Sequence, residues 1–437
     1  MNYYKKYLKY KKKYLALKGG ECDPLPESWN DNEPLTQLSY NDMIADARIT
    51  IEKQCYNVDA LYKWAIIQNG SIPHIPNKKL SDEDKQRLID AYNILHPPPR
   101  PGVLNRAYLI NNFGDDLSNL QAIDLESRQI KTIEPTTFQG LTNLKAIFLF
   151  GNEIETIDPT TFQGLTSLKT INLNNNQIKT IEPTTFQGLT SLKEIYLGGN
   201  EIKTIDPTTF QDLTNLKAII LTSNKIETIS PNTFRGLTSL EQIRLENNQI
   251  ETIDPTTFRG LTKLDLITLD GNKIQTIDPT TFQDLTDLIH IDLNHNKIQT
   301  IDPTTFQGLT NLGAIHLSNN QIQTIDPTTF QNLHKLKIIS LTHNEIEIID
   351  PATFQGLTNL KEIRLDSNLI QTIDPTTFQG LTNLRAISLY NNWITTIDPI
   401  TFQNLPRLET IHLYRNPIKN IDELRDIYGS RVHSWET

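Results

Sequence analysis

From Leu117 onward the chain repeats a single pattern of apolar and polar positions every 24 residues, with Leu recurring at 141, 165, 189, 213, 237, 261, 285, 309, 333, 357, 381 and 405. This makes thirteen units without an insertion, and a period of that length predicts stacked supersecondary units in place of ordinary domains. In the unit Leu141 to Gly164, LTNLKAIFLFGNEIETIDPTTFQG, the apolar residues fall at positions 1, 4, 7, 9, 14, 17 and 22. No helical period fits that spacing. The stretch Leu144-x-x-Ile147-x-Leu149 alternates as a short strand, with Ile147 and Leu149 on one side and Ala146, Phe148 and Phe150 on the other. Each unit therefore contributes one strand.

Three residues after the last strand leucine stands an asparagine: Asn152, Asn176, Asn200, Asn224, Asn248, Asn272, Asn296, Asn320, Asn344, Asn368, Asn392 and Asn416, with Arg128 as the exception in the first unit. A carboxamide donates and accepts, so stacked copies are expected to form a structural ladder with backbone groups that the turning chain leaves unpaired. Pro159 and its equivalents forbid a strand ladder bond and set an extended or turned segment. The twelve phenylalanines from Phe138 to Phe402 are expected to be core on the opposite side from the strands. Because each unit buries its apolar residues only against neighbours, both ends need covers. Asp422 to Tyr428 reads as a short capping helix, and Leu38 to Phe113 must cover the other end.

The pattern LxxLxLxxNxI followed by xxFxxL resembles the leucine-rich-repeat family in its 24-residue class. That resemblance implies an α/β solenoid, a right-handed curved horseshoe with a parallel β-sheet on its concave face, and partner binding as the usual activity. Extracellular members of that class normally carry Cys-rich caps, whereas Cys22 and Cys55 are the only cysteines here. A reducing, intracellular setting is the expectation.

Composition narrows the partner. Formal charge is −10, but the first twenty residues hold seven lysines and no acid, leaving 34 basic against 51 acidic residues beyond them. A nucleic acid is not expected to bind such a body. No apolar run reaches the roughly 20 residues of a membrane span, and no secretory core follows the first lysines, so no integral membrane segment is expected.

Inward positions are nearly constant from unit to unit while outward strand positions vary, which marks a contact surface for a protein or peptide. Thirteen strands about 4.8 Å apart give a face roughly 60 Å long. Phe148, Phe150, Tyr196 and Ile220 form a candidate apolar anchor near one end. Arg385, Tyr390, Trp393, His412, Tyr414 and Arg415 mix aromatic and basic groups near the other, and Arg244 and Arg364 stand in the same midstrand column. His290, Asp292 and His316 share chemistry with zinc ligands, but an open sheet face lacks the groups that orient such ligands, so no metal is expected. Nor is a cofactor, since no nucleophile and base pair or glycine-rich phosphate loop is present.

The chain organises as a basic Tyr/Lys helix (1–20), a linker (21–37), a small mainly helical module (38–95), a Pro-rich linker and N-terminal cap (96–116), thirteen repeats (117–416), and a C-terminal cap and tail (417–437). Tyr3, Tyr7, Tyr10, Tyr14 and Leu17 make one apolar seam on the first helix, and Gly19-Gly20 stops it or offers a protease site. Such Tyr/Lys starts resemble those of proteins from mimivirus-like giant viruses, which implies a host cytoplasmic or virion location. The pattern Cys55-Tyr56-x4-Leu61-x-x-Trp64, then Pro73 and Leu80, resembles a degenerate U-box, with Tyr56, Trp64 and Pro73 at that family's landmarks. That implies metal-free recruitment of a ubiquitin-conjugating enzyme. Ile72 stands where Asp usually precedes the proline, and the same segment also reads as a helical cap. The leading expectation is a non-enzymatic protein-protein interaction module. A ubiquitin-ligase adaptor and a virion structural component are the alternatives.

Overall fold

A computed structural model describes residues 101–434 and the strand backbones of Arg48–Ile51 and Gln54–Asn57. The chain divides into two units, Met1–Arg100 and Pro101–Thr437. In the first unit the described strands β1 (Arg48–Ile51) and β2 (Gln54–Asn57) pair antiparallel, with Ile49 opposite Tyr56 and Thr50 opposite Cys55. The Tyr/Lys helix, the linker, Trp64 and Pro73 lie outside the described residues.

The second unit is a solenoid of thirteen turns whose strands run from β4 (Ala122–Asp124) and β6 (Ala146–Phe148) to β17 (Thr410–His412), all parallel and in register one turn apart. A further strand, β18 (Val432–His433), makes the sheet fourteen-stranded. Each repeat strand is three residues long because only its central isoleucine must point inward. Ile147, Ile171, Ile195 and their equivalents are fully buried while their strand neighbours are half-exposed in most turns.

The turn after each strand is set by conformation. The residue before the ladder position has positive φ in every turn, from Ser127 (54°), ahead of Arg128, and Gly151 (68°) to Arg415 (55°). Glycine, asparagine and serine predominate there, as the left-handed region requires. Where Asn175 leans over Gly199, an added Cβ would lie 2.0 Å from the Asn175 Oδ1, so any other residue there requires the Asn175 side chain to swing away.

The asparagines carry the backbone accounting between turns. Oδ1 of Asn152 accepts from the amide of Ile130 at 3.0 Å, and its Nδ2 donates to the carbonyls of Leu125 and Leu149, each at 2.9 Å. The same three contacts recur down to Asn416, which takes the Ile394 amide at 3.1 Å. Opposite the sheet, the phenylalanine rings stack with most neighbouring centroids 6.0–6.4 Å apart.

Both ends are closed by elements that leave the repeat. At the N-terminal end, β3 (Val103–Leu104) pairs with β5 (Thr132–Ile133), and α1 (Arg106–Phe113) buries Leu109 in the core. The Asn105 side chain caps α1 by accepting from the Tyr108 amide at 2.9 Å. At the other end α2 (Ile421–Tyr428) buries Leu424, and the Tyr428 ring meets Phe402 edge-on at 5.7 Å. Its hydroxyl donates to the Pro399 carbonyl.

Candidate functional site: the outward face of the sheet

Parallel register puts equivalent outward residues side by side, so each column runs across the strands. Phe148, Asn172, Tyr196, Ile220 and Arg244 are successive partners. Phe148 and Tyr196 are therefore two strands apart, about 10 Å, with a polar residue between them. Phe148, Phe150, Tyr196 and Ile220 are all half-buried, so the apolar anchor is a set of separated tips. The Tyr196 hydroxyl donates to Glu194 at 3.3 Å, and burial first, then the Glu194 charge, raises its pKa.

Midway along, Asp292 pairs with His316 across the strands, and the rings of His290 and His316 lie 4.8 Å apart. Burial lowers the pKa of both histidines, and the neighbouring His316 charge lowers that of His290 further. Burial raises the Asp292 pKa. Among the described residues no group of three or more His, Cys, Asp or Glu side chains is placed to hold a metal ion.

At the far end the structure brings together more than the sequence reading grouped. Tyr390 and Tyr414 lie 4.3 Å apart, and the Arg415 guanidinium sits over the Tyr390 ring at 5.4 Å. His412 packs against His433 at 5.1 Å and edge-on to Tyr414 at 6.1 Å. His433 comes from β18, in a stretch read as tail; only the structure reveals that this stretch adds a strand. Trp393 is 62% exposed, and Leu369, 39% exposed, occupies the same position one turn earlier. Comparing that column directly would have found Leu369, because most other turns carry Gln, Glu or Lys there.

The proposed basic contacts differ among themselves. Arg364 is held by Glu362 of its own strand, Nε to Oε1 at 2.6 Å, and Arg385 lies 3.7 Å from Glu409. Arg244 projects from the strand as an exposed residue.

A stack of near-identical turns with a constant interior and a diversified sheet surface defines a class of repeat scaffold. The chain belongs to the leucine-rich repeat family, whose model matches in overlapping stretches that together span residues 111–418. No curated protein sequence matches the chain. Among solved structures it is similar to a chain of the Toll–Spatzle complex from Drosophila, at 22% identity and a TM-score of 0.62, over 70% of this chain and 45% of that one. It is also similar to a chain of the TLR13–ssRNA13 complex, at 24% identity and a TM-score of 0.56, over 72% of this chain and 54% of that one. An internalin from Listeria monocytogenes matches at 26% identity and a TM-score of 0.53, over 70% of this chain and 92% of that one. The chain thus spans about half the length of the first two structures it matches. Among the described residues no helix is long and apolar enough to cross a membrane.

Proposed function

We propose that the repeats are a non-enzymatic module that binds a partner protein on the outward face of the sheet. One observation carries this reading. The inward isoleucine and leucine of every strand are buried and almost unvaried, while the outward column changes from Asp124 through Phe148, Tyr196, Arg244 and His316 to His412. Stacking alone asks nothing of those outward side chains, so their variety reflects what they touch. Aromatic groups concentrate toward the two ends of the face, where they can anchor an interface.

Two further points support a protein partner on a curved inner surface. Phenylalanine rings repeat every 6.0–6.4 Å on one side, whereas hydrogen-bonded strands repeat every ~4.8 Å on the other. That mismatch bends the stack with the sheet inside, as a concave horseshoe. The acidic balance beyond the first twenty residues disfavours the polyanionic alternative of a nucleic acid. A fold relative is solved as a complex named for Toll and Spatzle, consistent with use of this scaffold for protein recognition.

The test is affinity capture from a candidate host or source extract with the full chain and with Phe148→Ala/Tyr196→Ala, read by quantitative mass spectrometry. The expected result is at least one protein recovered by the wild type and lost from the double variant. Recovery of the same proteins in equal amounts would rule the aromatic tips out as the contact.

A further inference from the structure

The column that precedes the outward strand residues has its own pattern. It reads Lys145, Lys169, Lys193 and Lys217, then turns acidic at Glu241 and Asp265, becomes uncharged at Ile289 and Gly313, and returns to basic at Lys337 and Lys361. Where the long side chains stop, the structure has a cavity of about 780 Å³ running over six consecutive turns. Its floor includes Ile289, which is 54% exposed, and Gly313, which has no side chain to fill the gap. Glu241, Asp265 and Asp287 line one end, with Lys263 among them, and Lys335 and Lys337 line the other. Lys335 donates to Asn311 at 2.5 Å. None of Lys263, Asp265, Asp287, Lys335 and Lys337 forms an ion pair among the described residues.

We propose that this groove is a docking site for an extended segment of a partner protein, cationic at one end, anionic at the other and apolar in the middle. Its span of five inter-strand steps is about 24 Å, which an extended chain of about seven residues covers. The two ends carry opposite net charge, so a segment of one sign throughout gains at one end and is repelled at the other. An aliphatic side chain placed between them covers Ile289 and occupies the space above Gly313. Burial first, and then the Glu241 charge, push the Asp265 pKa upward, while Glu241 itself pairs with Lys217 at 2.6 Å. The site lies in a column apart from the aromatic tips, so it does not depend on the reading of the sheet face given above.

Gly313→Lys tests the site with little risk to the fold. Six other turns carry lysine at that position, Gly313 has no positive φ, and an added Cβ would meet only Ile289 atoms at 3.5 and 3.6 Å, which is ordinary contact. The probe is a fluorescein-labelled heptapeptide with two lysines, Gly-Leu-Gly and two glutamates, read by anisotropy in about 50 mM salt. An isomer of the same composition, with lysine and glutamate interleaved around the leucine, is the control. The wild-type chain is expected to bind the charge-separated peptide at least about ten-fold more tightly than the interleaved one. Gly313→Lys and Lys335→Glu/Lys337→Glu should each weaken binding about ten-fold or more, and Phe148→Ala/Tyr196→Ala should leave it unchanged. No anisotropy change with the wild type up to about 1 mM, equal binding of the two isomers, or undiminished binding by both groove variants would overturn the proposal.

Discussion

Asn248 sits in the middle of the solenoid, where its loss can be worked through bond by bond. Its Oδ1 accepts from the Ile226 amide at 3.0 Å, and its Nδ2 donates to the carbonyls of Leu221 at 2.9 Å and Leu245 at 3.0 Å. Removing the side chain does not orphan all three groups. The Leu221 carbonyl keeps a bond from Asn224 at 3.1 Å, and the Leu245 carbonyl keeps one from Asn272 at 3.0 Å. The Ile226 amide loses its acceptor in a buried site. An orphaned buried donor costs about 1–3 kcal/mol, and each of the two other lost bonds about 1 kcal/mol. Asn248→Ala should therefore destabilise the chain by about 3–5 kcal/mol. Asn416→Ala should cost only about 1 kcal/mol, because its bonds are partly open to water, which replaces them. Asn248→Asp should be worse than alanine. It keeps the acceptor for Ile226 but turns an oxygen toward two carbonyls and buries a charge without a partner. Urea unfolding followed by far-UV circular dichroism measures the order. A cost below about 1 kcal/mol for Asn248→Ala, or a milder effect of aspartate than of alanine, would refute the reasoning.

Two other perturbations follow from the same geometry. Thr281 is 2% exposed and its hydroxyl has no hydrogen-bond partner, so Thr281→Val should be neutral or stabilise by about 1 kcal/mol. A fall in the urea midpoint would show that the hydroxyl is bonded after all. The depressed pKa values of His290 and His316 mean that, between the ordinary imidazole value of 6.5 and the lower folded values, the unfolded chain binds more protons than the folded one. Their contribution to stability is therefore lost as pH falls through 6.5 toward the folded values, and is constant above that window. His290→Gln/His316→Gln should flatten the loss in midpoint between about pH 7.5 and 5; an unchanged slope would remove these histidines as its source.

Much of the interior was legible because each inward position answers to one physical demand that recurs in every turn. Ile147 and Leu149 must be apolar, and Asn152 must both donate and accept. The outward face was legible only as a set of columns. Alternation says that Phe148 and Tyr196 point the same way, but their half-burial and the Asn172 between them depend on neighbouring turns. The place of His433 was hidden for a different reason. Val432 pairs with Ile411, only 21 residues earlier, because α2 replaces the proline and phenylalanine segment of the last turn. Counting in steps of 24 passes over it. The groove at Gly313 escaped notice because it consists of missing side chains, which no residue-by-residue search for chemistry detects.

Near-identity of the turns creates a difficulty that the two ends resolve. A slip of the stack by one whole turn returns isoleucine to isoleucine, asparagine to asparagine and phenylalanine to phenylalanine, so the interior barely distinguishes the native register from its neighbours. What differs is the cover. Leu104 and Leu109 close one end of the core and Leu424 the other, each fully buried, and a slipped stack would leave one cover without its seat and one turn without a cover. Salt bridges between turns add little to the choice. Pairs such as Lys225–Glu201 at 2.9 Å and Lys179–Glu155 at 3.6 Å are exposed, where solvent and salt screen the attraction. Register in this chain therefore depends on the elements that break the repeat. Outward side chains add bonds between turns only here and there, as where the Asn174 Oδ1 accepts from the Gly198 amide and the Asn294 Oδ1 from the Ser318 amide, each at 2.6 Å.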